Sequence, residues 1–298
     1  MAMTFSEGMQ IDTSTTSSSG GGRGPGRGIA VGGGIGGLLI LVVALFLGVD
    51  PSTVIPQQQI STEGVDSPGF DLSQCKTGED ANQIVQCRVV ATGNSVDGVW
   101  AQLMPGYTRP HVRLFSGQVD TRCGPATSDV GPFYCPVDQT AYFDTDFFQV
   151  LVDQFGSSGG PLAQEYVVAH EFGHHVQNLN GVLDRAQGPG AQGAQGGGVR
   201  TELQADCYAG VWAHYAAITK QESTGVPYLE PLSDKDIADA LSAASSVGDD
   251  RIQKAATGRI NPEAWTHGSA GQRQKWFTVG YQTGDPNKCD TFATNNLG

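Results

Sequence analysis

The run His170-Glu171-Phe172-Gly173-His174 constrains this chain more than any other part of its sequence. Residues four apart lie on one face of an α-helix, so both imidazoles would point to the same place. That spacing suits two nitrogen ligands of one zinc ion, with the carboxylate of Glu171 beside them as a general base. A helix with two buried histidines and no metal is the simpler alternative. The residues that follow the motif help to decide between the two interpretations.

A second predicted helix, from Val199 to Ile218, carries two acidic residues four positions apart. Zinc held by two histidines needs a third protein ligand and, in a catalytic site, one open position. Glu202 fits the third ligand, and Asp206 can accept a hydrogen bond from the free ring nitrogen of His170. A solvated acidic pair at this spacing would repel itself slightly, which disfavours a purely structural explanation. The two helices together predict a His2Glu zinc site.

Length and charge narrow the class of protein. At 298 residues the chain can bury a sizeable core without help from metals or disulfides. A zinc ion in this protein is therefore expected to be functional rather than structural. The formal net charge of −13 argues against nucleic acid as a partner, because phosphate binding needs a basic surface.

An apolar segment near the N-terminus predicts a membrane anchor. Residues 28–49 contain no charged side chain and are numerous enough to cross a bilayer as one helix. Arg23 and Arg27 precede this segment and Asp50 follows it, which favours a cytoplasmic N-terminus and an exported C-terminal part. A cleaved signal peptide is the alternative, but no small-x-small cleavage site ends the segment. The prediction is a single-pass protein of the cell membrane.

Composition divides the chain into four parts. Ser, Thr, Gly and Arg dominate the N-terminal residues, which predicts disorder, and the residues after the apolar segment resemble a stalk. The predicted parts are a disordered cytoplasmic tail (1–27), a transmembrane anchor (28–49), a stalk (50–70) and a folded domain that carries the predicted zinc site (71–298).

All six cysteines follow the apolar segment. An even number on the exported side predicts disulfides. Six cysteines can form three disulfides in fifteen different patterns. Two pairs of cysteines have the same short separation along the sequence. The predicted pairs are Cys75 with Cys87, Cys123 with Cys135 and, as the remainder, Cys207 with Cys289.

The rest of the pattern predicts an α+β fold that is mainly helical with a small β-sheet, preceded by a single N-terminal transmembrane helix. The motif helix should run from Pro161 to Leu179, while His111 to Gln118 and Gln139 to Asp144 are strand-like. Val85 to Ala91 alternates poorly and fits either a short strand or the end of a helix. Prolines on both sides of Phe133-Tyr134-Cys135 suit an edge strand.

Three segments carry a resemblance to a known family: His170 to Gln177 (HEFGHHVQ), Glu202 to Ala213 (ELQADCYAGVWA), and Thr266-His267-Gly268-Ser269 with Gln272-Arg273. Together they resemble the membrane-anchored bacterial neutral zinc metallopeptidases. The likeness extends to the glycine-rich N-terminal part, the GPFYCPVDQTAYFD stretch and the C-terminal Gly284-Asp285-Pro286 with Cys289-Asp290. It implies a zincin-like peptidase of the gluzincin type, with zinc as cofactor and peptides or proteins as substrates.

The resemblance also makes His267 and Arg273 candidates for contacts with the substrate or its oxyanion. In the expected reaction, Glu171 takes a proton from a water that zinc activates and then passes it to the leaving amine. The substrate backbone could pair with the edge strand at Phe133 and Tyr134. Two alternatives stay open, namely an exported zinc-bearing scaffold without hydrolytic activity and a membrane-anchored binding protein without metal.

Overall fold

The computed structural model describes residues 4–20, 69–186, 190–191 and 193–298. Within those ranges the chain forms a mixed α/β fold of eight α-helices and six short strands. The helices are α1 (Gly78–Gln83), α2 (Val85–Leu103), α3 (Phe147–Asp153), α4 (Pro161–Leu179), α5 (Gly197–Ala216), α6 (Asp234–Ser246), α7 (Asp249–Thr257) and α8 (Ala270–Thr283). The strands are β1 (Thr16–Gly20), β2 (His111–Ser116), β3 (Gln118–Thr121), β4 (Gly124–Thr127), β5 (Phe133–Cys135) and β6 (Thr140–Asp144).

Four strands form one mixed sheet in the order β1-β2-β6-β5. The first two pairings are parallel, and β5 pairs antiparallel with β6 so that Phe133 lies opposite Tyr142. The rings of these two residues stack with their centroids 4.8 Å apart. Strands β3 and β4 form a separate hairpin. The strand that carries Phe133 is therefore an edge strand of the main sheet.

Helix α4 lies in the hydrophobic core and packs against α2, α5 and α6. Proline at its first turn suits the helix start, because the missing N–H would have no partner there. Gly173 lets α4 approach α5 closely, since a Cβ at this position would lie 3.0 Å from the Cα of Ala205. The glycine of the motif therefore serves helix packing and keeps the histidine-bearing face of α4 against α5.

Helices α5 and α8 also lie backbone against backbone. A Cβ on Gly210 would collide with the carbonyl oxygen of Phe277, and one on Gly280 would collide with that of Cys207. Capping by Ser269 and Gln272 fixes the start of α8, one turn before Arg273. The close crossing brings the side chain of Arg273 to Asp206.

The predicted disordered tail is wrong for residues 4–20, which belong to the folded domain. Phe5 and Met9 are fully buried, and β1 pairs in parallel with β2. The Thr4 hydroxyl donates a hydrogen bond to Glu165 on α4, and Arg109 forms an ion pair of 2.7 Å with Asp12. The polar composition of this segment predicted disorder. Its few apolar side chains are buried by residues far away in sequence, so composition alone could not indicate these contacts.

The fold class and the localisation predicted from the sequence need correction as well. No helix in the described part of the chain is long and apolar enough to cross a membrane. The predicted anchor, residues 28–49, lies outside the described residues. Because residues 4–20 share one core with the disulfide-bearing domain, the two cannot lie on opposite sides of a membrane. The structure thus contradicts a cytoplasmic N-terminus joined through one transmembrane helix to an exported domain.

The three predicted disulfides are confirmed. Cys75 is bonded to Cys87, Cys123 to Cys135 and Cys207 to Cys289. The second ties the turn of the β3-β4 hairpin to β5, and the third ties α5 to the turn that follows α8. Disulfides of this number are typical of proteins from oxidising compartments.

Candidate metal centre

Two histidines from α4 and one glutamate from α5 meet in the interior of the domain. One ligand atom from each of His170, His174 and Glu202 lies within 4.8 Å of the other two, and all three residues are buried. The i and i+4 spacing places both imidazoles on the face of α4 that packs against α5. Both helices are thus needed to assemble the three side chains.

The distances within this group fit a zinc ion. The Nε2 atom of His170 is 3.2 Å from Oε2 of Glu202, and Nε2 of His174 is 3.5 Å from Oε1. Two donors that each lie at the usual bond length from one tetrahedral zinc are about 3.4 Å apart. Two imidazoles and one carboxylate are also a common ligand set of catalytic zinc sites. The residues present can therefore hold the metal.

Asp206 lies one turn after Glu202, behind His170. Its Oδ1 atom is 2.8 Å from Nδ1 of His170, the contact that the sequence predicted. Arg273 donates from Nε to Oδ2 and from Nη2 to Oδ1 of the same carboxylate, each over 2.8 Å. The Tyr166 hydroxyl donates a short hydrogen bond to Oδ1. Asp206 thus fixes the ring of His170 and leaves Nε2 directed at Glu202.

A different residue orients the second histidine. The Oε1 atom of Gln177 lies 2.8 Å from Nδ1 of His174, and its Nε2 donates to the carbonyl of Thr201 and to Oε1 of Gln204. Sequence reasoning missed both Gln177 and Tyr166. Gln177 follows His174 by three positions, a spacing that places the two side chains on one helix face and could have indicated the contact.

The charges of this group favour a cation. Burial alone would lower the pKa of His170, but attraction to Asp206 and the hydrogen bonds that Asp206 and Glu202 accept outweigh it and raise the pKa to about 9. Burial would raise the pKa of Glu202, yet the charges of His174, His267 and His170 hold it far below its usual range. Without a metal the carboxylates therefore retain a proton on His170, and a divalent ion would displace it.

The other two motif side chains differ in their protonation. Burial lowers the pKa of His174 to about 4, so that its ring is neutral at pH 7 and can bind a metal. Burial raises the pKa of Glu171 to about 7, although the charge of His170 opposes the rise. A carboxylate with a pKa near neutrality is suited to take up and release a proton at physiological pH.

His267 lies in a loop between α7 and α8 that one carboxylate holds in place. Oδ2 of Asp249 accepts hydrogen bonds from the backbone N–H groups of Thr266, His267 and Gly268, over 2.7, 2.7 and 2.9 Å. Its other oxygen is 3.5 Å from Nδ1 of His267. Asp249 was missed in the sequence, because it lies far from His267 along the chain and belongs to no motif.

A cavity of about 110 Å³ opens onto the candidate ligands. The predicted site residues that line it are His170, Glu171, His174, Glu202, His267, Arg273 and Phe133. Tyr134 is not among the described lining residues. Its hydroxyl lies 2.9 Å from Nδ1 of His175 and accepts a hydrogen bond from Asn178 over 2.9 Å. Tyr134 therefore connects the edge strand to α4, and of the two strand residues only Phe133 reaches the cavity.

The fold and the site define a protein whose buried HExxH helix and following acidic helix can bind zinc. The chain belongs to the family described as "Putative neutral zinc metallopeptidase", which matches residues 4–292. It is 76% identical to an uncharacterised protein of Mycobacterium tuberculosis over 99% of this chain and 100% of that protein. It is 36% identical to the uncharacterised protein YpfJ of Escherichia coli over 93% of each chain. No solved structure matches it.

Proposed function

We propose that this protein is a zinc-dependent peptidase that hydrolyses peptide bonds. The observation that carries the proposal is the buried group of His170, His174 and Glu202, with Glu171 on the same cavity wall. A zinc ion bound there supplies Lewis-acid chemistry, which polarises a carbonyl group and brings the pKa of a water to about 7.

Glu171 is the proposed general base. Its pKa of about 7 allows the carboxylate to take the proton of the attacking water and, once protonated, to give it to the leaving amine. Asp206 and Gln177 position the two histidines through their Nδ1 atoms, so that both Nε2 atoms face the carboxylate of Glu202.

His267 is the proposed donor to the oxyanion of the reacting carbonyl. Burial would lower its pKa, but the charges of Glu202 and Asp249 and the hydrogen bond that Asp249 accepts raise it above its usual value. Nδ1 of His267 lies 2.9 Å from the Thr266 hydroxyl and 3.5 Å from Asp249, so Nε2 is the ring nitrogen that would donate to a substrate. Arg273 is proposed to position His170 instead of contacting the substrate. It donates hydrogen bonds to both oxygens of Asp206, the residue that orients the ring of His170.

The experiment compares zinc content and hydrolysis in two matched variants. Glu171→Gln should retain about one zinc per chain and lose hydrolysis of a quenched fluorescent peptide mixture, because only the base is lost. Glu222→Gln, at an exposed glutamate, should behave as wild type in both measurements. A zinc-loaded wild type without chelator-sensitive hydrolysis would refute the proposal and would favour a zinc-bearing scaffold.

A further inference from the structure

The lining of the cavity beside the candidate metal centre combines two kinds of side chain. Some are the titratable side chains of the site. The others form an apolar surface, here called the apolar wall, which consists of Val130, Phe133, Phe147, Phe155, Val167, Val247 and Ile252.

The apolar wall is assembled from separate elements that the fold holds firmly. Phe133 belongs to β5, which the Cys123–Cys135 disulfide ties to the hairpin. The preceding loop lies directly on the ring of Phe147 at Gly131, where φ is +75° and a Cβ would lie 3.1 Å from that ring. Ile252 on α7 is 8% exposed. The wall is therefore a preformed surface.

The apolar surface begins one helical turn from the proposed base. Val167 precedes Glu171 by four residues, so both side chains lie on the same face of α4 and both line the cavity. A peptide carbonyl placed at the metal centre would have its neighbouring side chain beside this surface. The side chain that enters the cavity thus belongs to a residue next to the bond that is cleaved.

The apolar wall disfavours an acidic side chain at that position. Its valine, phenylalanine and isoleucine side chains offer no hydrogen-bond donor and no cation to a carboxylate. Arg273 also lines the cavity, but its guanidinium is bound to both oxygens of Asp206. An aspartate or glutamate of a substrate would lose its hydration against the apolar wall and gain little in return.

We propose that the cavity takes a bulky apolar side chain, aromatic or branched aliphatic, of a residue that adjoins the scissile peptide bond. The proposal rests on the peptidase function and names the substrate class of the same site. Burial of a large apolar side chain against apolar surface is the interaction that this wall offers.

The first test uses the full-length zinc-loaded protein and quenched peptides that differ in a single residue. The varied residue is Phe, Leu, Ala or Asp, and it is placed first on one side of the cleavable bond and then on the other. Mass spectrometry of the products shows which bond was cleaved. At one of the two positions we expect kcat/KM for Phe or Leu to exceed that for Ala by about tenfold or more, with Asp lowest. Equal rates for Phe and Ala at both positions would overturn the proposal.

Two variants connect the preference to this cavity. Phe155→Ala and Ile252→Ala remove apolar surface from the wall and should each lower the Phe-to-Ala rate ratio by about threefold or more, with zinc content unchanged. Phe70→Ala is the matched control, because Phe70 is also partly buried against the core but does not line the cavity. A ratio unchanged in both wall variants would contradict the assignment.

A binding measurement separates this proposal from the peptidase function itself. The same peptides, labelled for fluorescence anisotropy, are titrated with zinc-loaded Glu171→Gln protein. Tighter binding of the Phe peptide than of the Ala and Asp peptides supports the apolar pocket even if the wild type hydrolyses nothing. Equal binding of all peptides overturns the pocket assignment whether or not hydrolysis occurs.

Discussion

Asp206 is the residue on which the buried polar groups behind the metal centre converge. It accepts hydrogen bonds from Arg273 and Tyr166 and contacts Nδ1 of His170, while fully excluded from solvent. Burial would raise its pKa, but the charges of Arg273 and His170 hold the pKa at about 2. The carboxylate is thus ionised at every pH at which the protein would bind zinc.

Asp206→Asn should therefore weaken zinc binding. The amide keeps the shape of the carboxylate but removes the charge that balances Arg273 and increases the basicity of His170. We expect the zinc dissociation constant to rise roughly 10- to 100-fold, as for other residues that orient a metal ligand. Competition with a chelating dye measures it. Asp239→Asn, at a buried aspartate paired with Lys235, is the control and should leave zinc affinity unchanged.

His267 and Asp249 give a prediction for turnover instead of metal binding. His267→Ala should lower kcat roughly 100-fold with zinc content unchanged, because a donor to the developing oxyanion is lost. Asp249→Asn should lower kcat in the same direction, since its carboxylate fixes the loop and contacts Nδ1 of His267. Asp250→Asn alters the adjacent residue, whose side chain accepts from the N–H of Ala270, and should have the smaller effect. A change in KM alone would argue against a transition-state role.

At the scale of elements, the disulfides allow a matched comparison. Cys75–Cys87 and Cys123–Cys135 have the same sequence separation of 12, but only the second supports the strand that carries Phe133. Replacing either pair by serines should cost about 3 kcal/mol of unfolding free energy, because loops of equal length are released. Only the Cys123→Ser, Cys135→Ser variant should also lower the Phe-to-Ala rate ratio. Urea titrations and the peptide assay measure the two effects, and equal ratios in both variants would contradict the prediction.

The elements also show where the sequence was sufficient for prediction. Helix α4 has the predicted bounds Pro161–Leu179, because its proline start and its motif are local signals. Helix α2 runs from Val85 to Leu103, although Val85 to Ala91 gave only an ambiguous pattern. The helix is buried on nearly all sides from Cys87 to Trp100, so polar and apolar residues do not alternate with the helical period.

The same reasoning applies to the candidate site. Its motif residues were evident because the ligand spacing is encoded within single helices. Tyr166 and Asp249 were missed, since each is identified by a contact with another element that has no sequence signature, whereas the spacing of Gln177 from His174 could have indicated its contact. Sequence periodicity carries no information about such pairs until the helices are packed.

At the scale of the whole molecule, the N-terminal segment and the motif helix are parts of one structure. Residues 4–20 supply a strand to the sheet, two fully buried side chains to the core and the hydroxyl of Thr4 to Glu165. Glu165 lies five residues before His170 on α4 and is completely buried. The stability of the metal-bearing helix is therefore linked to the docking of a segment that is distant in sequence.

Glu165 predicts how the stability of the whole domain depends on pH. Burial raises its pKa from 4.5 to about 7, although Thr4 and Arg88 oppose the rise. Between these two values the folded state keeps a proton that the unfolded state has lost. The contribution of Glu165 to stability therefore falls as pH rises through this window, by up to roughly 3 kcal/mol. In Glu165→Gln this loss is removed, because the amide does not titrate.

Urea unfolding of the zinc-loaded protein at pH 5 and pH 8 tests the prediction. The quantity to compare is the unfolding free energy of Glu165→Gln minus that of wild type, because this subtraction cancels the titration of all other groups. It should be more positive at pH 8 than at pH 5. Glu222→Gln, at an exposed glutamate, should show no such change between the two pH values. If the difference for Glu165→Gln were the same at both pH values, Glu165 would be ionised to the same extent in the folded and unfolded chains.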